Sequence, residues 1–144
     1  MTAPHPGSQA PNASWHEENV RSIAEVAGLS DRIAALMSRA GFSEKDLFGV
    51  RLALEEAVVN GIRHGNGNDP GKSVRVRYQV NAVHVLAEVE DQGPGFNPKA
   101  VPDPLAPENL ESPSGRGIFL IRHYMTWVKF NDRGNCITFC KERA

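Results

Sequence analysis

Leu52-Ala53-Leu54-Glu55-Glu56-Ala57-Val58-Val59-Asn60-Gly61-Ile62-Arg63-His64-Gly65 is the stretch from which the rest of the chain can be read. With the residues before it, Leu47, Val50, Leu54, Ala57, Val58 and Gly61 fall at helical spacing and form one apolar stripe. Ser43, three residues ahead of Asp46, opens the helix as a carboxylate variant of the capping box. The pattern runs to about His64 and stops in Gly65-Asn66-Gly67-Asn68-Asp69-Pro70-Gly71, a dense turn signal. Glu56 and Asn60 stand four apart, so both project from one helical face, at ~5–6 Å between Cβ atoms. A carboxylate beside an amide carbonyl offers only oxygen donors. Hard Mg²⁺ takes such donors and shares them with phosphates and water. Glu56 can also act as a base toward an attacking hydroxyl. Taken alone, the pair is accounted for better by an ordinary solvated helix face.

Downstream, residues 73–80 and 83–90 each alternate apolar and polar side chains, with Asn81-Ala82 as the turn between them. Alternation of this kind predicts antiparallel strands covered on one side. On that reading Arg75 and Arg77 belong to a solvated strand face. The second strand delivers Asp91, which opens Asp91-Gln92-Gly93-Pro94-Gly95-Phe96. An acidic acceptor at a strand end can take the exocyclic amine of a purine, and Gly93 and Gly95 allow close backbone approach to a ligand. A plain turn explains the same residues. A proline-rich irregular segment with Lys99 as its basic residue follows, of the length that is functional or disordered in compact domains. It ends in Ser114-Gly115-Arg116-Gly117, ahead of a helix over 117–125. Free N–H groups at a helix start bind anions, glycines let a phosphate approach, and Arg116 adds fixed positive charge. A closing hairpin, 127–130 and 136–140, turns at Asp132-Arg133-Gly134-Asn135.

Upstream, residues 14–21 read as a weak edge strand with Trp15 and Val20 inward. A helix over 22–40 follows, interrupted by Gly28, which leaves a start near Ser30 as the alternative; Gly41 is a fitting stop. The order is β-α-α-β-β-loop-α-β-β. Helices on one face of an antiparallel or mixed sheet make an α+β, two-layer α/β sandwich.

The chain has 144 residues and a formal net charge of −1, which fits one soluble domain without a global pull toward nucleic acid or membrane. Residues 1–13, rich in Pro, Gly and Ser, read as a disordered tail, and 14–144 as the domain. The opening lacks a charged segment followed by an apolar one, and no apolar run approaches the ~18 residues that span a bilayer. Two cysteines, Cys136 and Cys140, on one strand lie roughly 13 Å apart, too far to bond each other. A reducing, cytoplasmic setting is the plain expectation. His64 reads as a packing or hydrogen-bonding residue rather than a metal ligand.

Glu56-x-x-x-Asn60, Asp91-x-Gly93-x-Gly95 and Gly115-x-Gly117, in that order around a long loop, resemble the N, G1 and G2 boxes of the GHKL (Bergerat-fold) ATPases. Leu52 to Gly65 and Ser114-Gly115-Arg116-Gly117-Ile118-Phe119-Leu120-Ile121 are most similar to the anti-sigma-factor serine kinase branch. The resemblance covers about residues 14–142. It implies that Asn60 coordinates Mg²⁺ and that Glu56 activates the attacking hydroxyl. It implies that Asp91 binds the adenine amine and that Gly93 and Gly95 let the chain pass around the base. Residues 96–114 would form a lid over ATP, and Gly115, Arg116 and Gly117 would hold phosphate. Glu55 is a competing base, but it lies ~100° off the Asn60 face. The implied activity is transfer of the γ-phosphoryl group of ATP to a serine of a STAS-type anti-anti-sigma protein, with sequestration of a sigma factor. The implied partners are proteins, with a homodimer possible and no direct nucleic acid or membrane. The alternatives are an ATP-dependent binding module without phosphotransfer and a stand-alone histidine-kinase-like catalytic domain.

Overall fold

A computed structural model describes residues 14–94 and 113–143, with backbone alone over 113–116. The elements are β1 (His16–Val20), a 3₁₀ turn (Ile23–Glu25), α1 (Val26–Ala40), α2 (Glu44–Asn60) and a π-helical turn (Gly61–Gly65). Then come β2 (Val74–Val80), β3 (His84–Glu90), α3 (Pro113–Tyr124), β4 (Trp127–Phe130) and β5 (Cys136–Glu142). One sheet runs in the order β1-β2-β3-β5-β4, and every pairing in it is antiparallel. The expected element order holds, and the sheet is antiparallel rather than mixed.

Register explains the layers. Val76 lies opposite Val89 and Tyr78 opposite Ala87, while Ala87 and Val89 lie opposite Phe139 and Ile137. Facing residues of paired strands share a face. The inner face is therefore Val74, Val76, Tyr78, Val85, Ala87, Val89, Ile137 and Phe139, all buried. Leu29, Ile33 and Met37 of α1, Val50, Leu54 and Val58 of α2, and Ile121 of α3 pack into the same core.

The outer face departs from the simple alternation. Arg75 and Arg77 are not merely solvated. They interleave with Glu17, Glu88 and Glu90 across β1, β2 and β3, with Arg75 Nη2 2.9 Å from Glu90 and Arg77 3.6 Å from Glu88. Farther along, Gln79, His84, Leu86, Cys136 and Cys140 are all buried. The inner face of β3 is the expected one, but its polar phase is covered at His84 and Leu86 and stays partly exposed only at Glu88 and Glu90. Cys136 and Cys140 are free and share this face; burial pushes their thiols up to about 12 and about 11, so both persist as neutral, weakly reactive groups.

Several element boundaries differ from the expected ones, three of them for clear local reasons. α1 runs through Gly28, because Glu25 accepts from the Ser22 N–H at 2.8 Å and starts the helical path before it. Gly41 ends α1 in the left-handed region at φ 89°. Val83 belongs to the turn, where Asn81 Oδ1 accepts from the Val83 and His84 N–H groups at 2.8 and 2.9 Å. The last helix begins at Pro113, four residues before Gly117, and proline suits a first helical position. Elsewhere the reading of α2 holds at its start: Ser43 accepts from the Asp46 N–H at 3.1 Å.

Among the described residues, two buried side-chain atoms lack a hydrogen-bond partner, Arg75 Nε and the Ser30 hydroxyl. Ser30 is 1% exposed on α1, and its hydroxyl has no hydrogen-bond partner. It lines a small crevice with Ile33, Met37, Val50 and Leu54. Ser30→Ala removes that polar group from an apolar seam and improves helix propensity. It is expected to raise unfolding free energy by about 1 kcal/mol in urea titrations; a loss of stability would show that the hydroxyl is satisfied in solution.

Candidate nucleotide site

The site forms where α2 ends. The α-helix stops at Asn60 and widens into one π turn, in which the Asn66 N–H reaches back to the Gly61 carbonyl at 2.8 Å. Single π turns recur at functional sites because they shift the register of the side chains on either side. Here the turn carries the backbone from Asn60 to Gly65, which lies directly against Asp91. A Cβ built on Gly65 would fall 2.2 Å from the Asp91 Cγ, and one on Gly61 3.6 Å from the Asp91 Cβ. Gly93 closes the other side: a Cβ there would fall 1.9 Å from the Gly65 carbonyl oxygen. Only glycine permits this approach of the two loops.

Asp91 is half-buried, and burial, the largest influence, pushes its carboxyl above the usual carboxylate range. The Gly93 N–H, donating to Oδ1 at 2.8 Å, opposes that shift, as do Arg133 and Lys72; Glu90 adds to it. The backbone of Asp91 is held on both sides by Asn135. The Asp91 N–H donates to the Asn135 carbonyl at 2.9 Å, and Asn135 Nδ2 donates to the Asp91 carbonyl at 3.1 Å.

A second network ties the loops together. The Gln92 N–H donates to Asn66 Oδ1 at 2.7 Å, Asn66 Nδ2 donates to the Ser73 carbonyl at 3.0 Å, and the Ser73 N–H donates to Gln92 Oε1 at 2.7 Å. Asn66 is 5% exposed, so its satisfied amide holds the glycine-rich turn onto the strand end. Sequence reasoning did not single out Asn66, Gln92, Ser73, Asn131 or Asn135. Asn66 and Asn135 sit inside turn clusters whose composition signalled a turn and nothing more.

The other end of the site is the Glu56/Asn60 face. α3 runs antiparallel along α2: Gly49 faces the Tyr124 ring, and Gly117 faces Asn60. A Cβ on Gly117 would lie 2.3 Å from Asn60 Nδ2 and 3.4 Å from Glu56 Oε2. The absent side chain of Gly117 is what lets the Asn60 amide lie against α3, with Glu56 Oε2 beside it; both polar side chains are half-buried. Glu56 rather than Glu55 is the carboxylate that meets Gly117. Gly115 and Arg116 lie in the first turn of α3, where backbone N–H groups lack intrahelical partners. Gly95 and residues 96–112 of the expected lid lie outside the described residues. His64, expected to pack, is exposed. Trp127 and Phe130 are half-buried; Phe130 packs against the core, whereas Trp127 lies under the Lys129 ammonium, 4.9 Å from the ring centre.

An acidic acceptor at one end and an oxygen-donor pair beside a helix start at the other define a candidate nucleotide-binding α/β sandwich. The model of the histidine kinase-like ATPase domain matches residues 21–141, and the chain belongs to that family. Among curated proteins, it is similar to the serine-protein kinase RsbW of Oceanobacillus iheyensis, 23% identical over 129 residues, covering 85% of this chain and 82% of the relative. It is also similar to the serine-protein kinases RsbW of Listeria monocytogenes and of Staphylococcus epidermidis, each 27% identical over 117 residues, covering 76% of this chain and 74% of the relative.

Proposed function

We propose that this chain is an ATP-dependent serine protein kinase of the anti-sigma-factor type, acting on a STAS-type anti-anti-sigma protein and holding a sigma factor by turns. The observation that carries the reading is the single π turn that joins Asn60 to Gly65, so that the oxygen-donor pair and Asp91 belong to one continuous wall. Asp91 Oδ1 is engaged by the Gly93 N–H, which aims the carboxylate and leaves its second oxygen to accept the adenine amine. The name carried by the similar proteins supports serine as the acceptor.

Beside Gly117, Glu56 offers Oε2 and Asn60 its amide, with Nδ2 nearest; with the amide turned to offer its oxygen, the pair would suit a magnesium ion shared with phosphates. Asn60 would hold the ion. The ion would draw charge from the phosphate oxygens. Glu56 takes the proton of the attacking serine hydroxyl, and Gly115 and Arg116 at the start of α3 bind the phosphate charge. A cytoplasmic setting agrees with this chemistry; among the described residues, no helix is long and apolar enough to cross a membrane.

Two measurements test the reading. MgATP at ~100 times its dissociation constant should add about 2.7 kcal/mol to unfolding free energy, and no shift with MgATP or MgADP would sink nucleotide binding. Incubation with radiolabelled ATP and a STAS-type anti-anti-sigma protein of the same organism should yield acid-stable phosphoserine. Acid-labile label would point instead to transfer to histidine.

A further inference from the structure

The β4–β5 turn, residues 131–135, closes over the strand end that carries Asp91, and none of the motifs above includes it. Asn131 organises this turn. Its Oδ1 accepts from the N–H groups of Gly134, Asn135 and Cys136 at 2.8, 3.1 and 3.2 Å, and its Nδ2 donates to Asn135 Oδ1 at 2.8 Å. Gly134 takes φ 79°, which glycine adopts without strain. The turn so formed projects two groups onto the Asp91–Gly93 segment. Asn135 grips the Asp91 backbone on both sides, and Arg133 Nη2 donates to the Gly93 carbonyl at 3.3 Å.

From this geometry we infer that Arg133 is a positioning residue for purine recognition, acting on Asp91 through the Gly93 turn and through its charge. The inference rests on the nucleotide reading of the site. Gly93 is pinned at three points. Its N–H goes to Asp91 Oδ1, its carbonyl to Arg133, and its Cα packs against the Gly65 carbonyl. Release of the carbonyl lets the Gly93 peptide rotate, and the N–H that aims the Asp91 carboxylate rotates with it. The guanidinium also supplies positive charge near a half-buried carboxylate. The charged groups facing Asp91 are Glu90 on its own strand, Arg133 on the β4–β5 turn and Lys72 ahead of β2. The π turn against it presents Gly61 and Gly65, which carry no charge. Arg133 therefore helps to keep ionised a group that burial pushes toward protonation, and a protonated Asp91 is a poorer acceptor for an exocyclic amine.

The test is MgADP affinity, measured by calorimetry from pH 4.5 to 8, for the wild type, Arg133→Ala and Arg133→Lys. Arg133→Ala should weaken binding roughly tenfold at neutral pH, as for loss of one charge-assisted hydrogen bond. Its acid limb, where affinity falls as Asp91 protonates, should move to higher pH. Arg133→Lys keeps the charge and should retain the wild-type limb while losing part of the affinity. Phosphate titration of the nucleotide is common to all three curves and cancels in the comparison. A wild type that binds no MgADP would overturn the nucleotide reading itself. A wild type that binds, with Arg133→Ala showing either unchanged affinity or weaker binding without a moved limb, would overturn the role given to Arg133 alone.

Discussion

Glu56→Gln should lower phosphotransfer by about two to four orders of magnitude while leaving MgADP affinity within a few-fold of the wild type. Glutamine keeps the size and the oxygen donor of the side chain and removes its basicity. The nucleotide contacts proposed for Asp91 and the helix start are untouched, so the loss belongs to the proton-transfer step. Glu55→Gln is the matched control. Glu55 lies ~100° around the helix from Glu56, and Glu56 is the one whose carboxylate approaches Gly117. The control should transfer phosphate at close to the wild-type rate. Equal labelling by the wild type and Glu56→Gln would remove Glu56 from the reaction. Strong loss in Glu55→Gln with Glu56→Gln active would exchange their roles.

The second large effect is expected at Gly93. Gly93→Ala places a methyl group 1.9 Å from the Gly65 carbonyl oxygen. That oxygen belongs to the backbone of the π turn, which is braced by the Asn66 N–H and side-chain bonds and cannot swing aside as a flexible side chain would. One of the two loops must retreat. Overpacking of this kind costs typically 1–3 kcal/mol, and the retreat also pulls the Gly93 N–H away from Asp91. The variant should therefore lose stability in urea titrations and lose detectable MgADP binding together. Gly67→Ala is the useful contrast. It has open space around it but a φ of 62°; it should cost about 1 kcal/mol of backbone strain and keep nucleotide affinity. A Gly93→Ala protein as stable and as tight-binding as the wild type would mean that the loops are not in this contact in solution.

Most of the architecture could be read from local pattern. The stripe of Leu47, Val50, Leu54, Ala57 and Val58 marked α2, and the alternation of Val74, Val76 and Tyr78 marked β2 and its inner face. Such signals work because burial on one face repeats at the period of the element itself. They failed where burial had another source. Leu86, Gln79 and His84 occupy the nominally polar phase of β2 and β3 yet are buried. Burial on the second face of a sheet leaves no alternation to detect. The helix at Pro113 was set too late because its first turn, Pro113 to Arg116, has no apolar residue to extend the periodic pattern.

The site divides in the same way. Glu56 and Asn60 could be paired from their spacing alone, because four residues is one helical turn. The sequence by itself also determined the presence of an acidic strand end, of glycines at 93 and 117, and of the order in which these occur. Only the tertiary structure decided that Gly65 and Gly93 meet over Asp91, that Gly117 faces Asn60, and that Asn66, Asn135 and Arg133 brace the result. These contacts join residues 26 to 57 positions apart in the chain. No local periodicity records such a pairing. It is set by the antiparallel register that brings β5 beside β3 and by the π turn that ends α2 at the sheet.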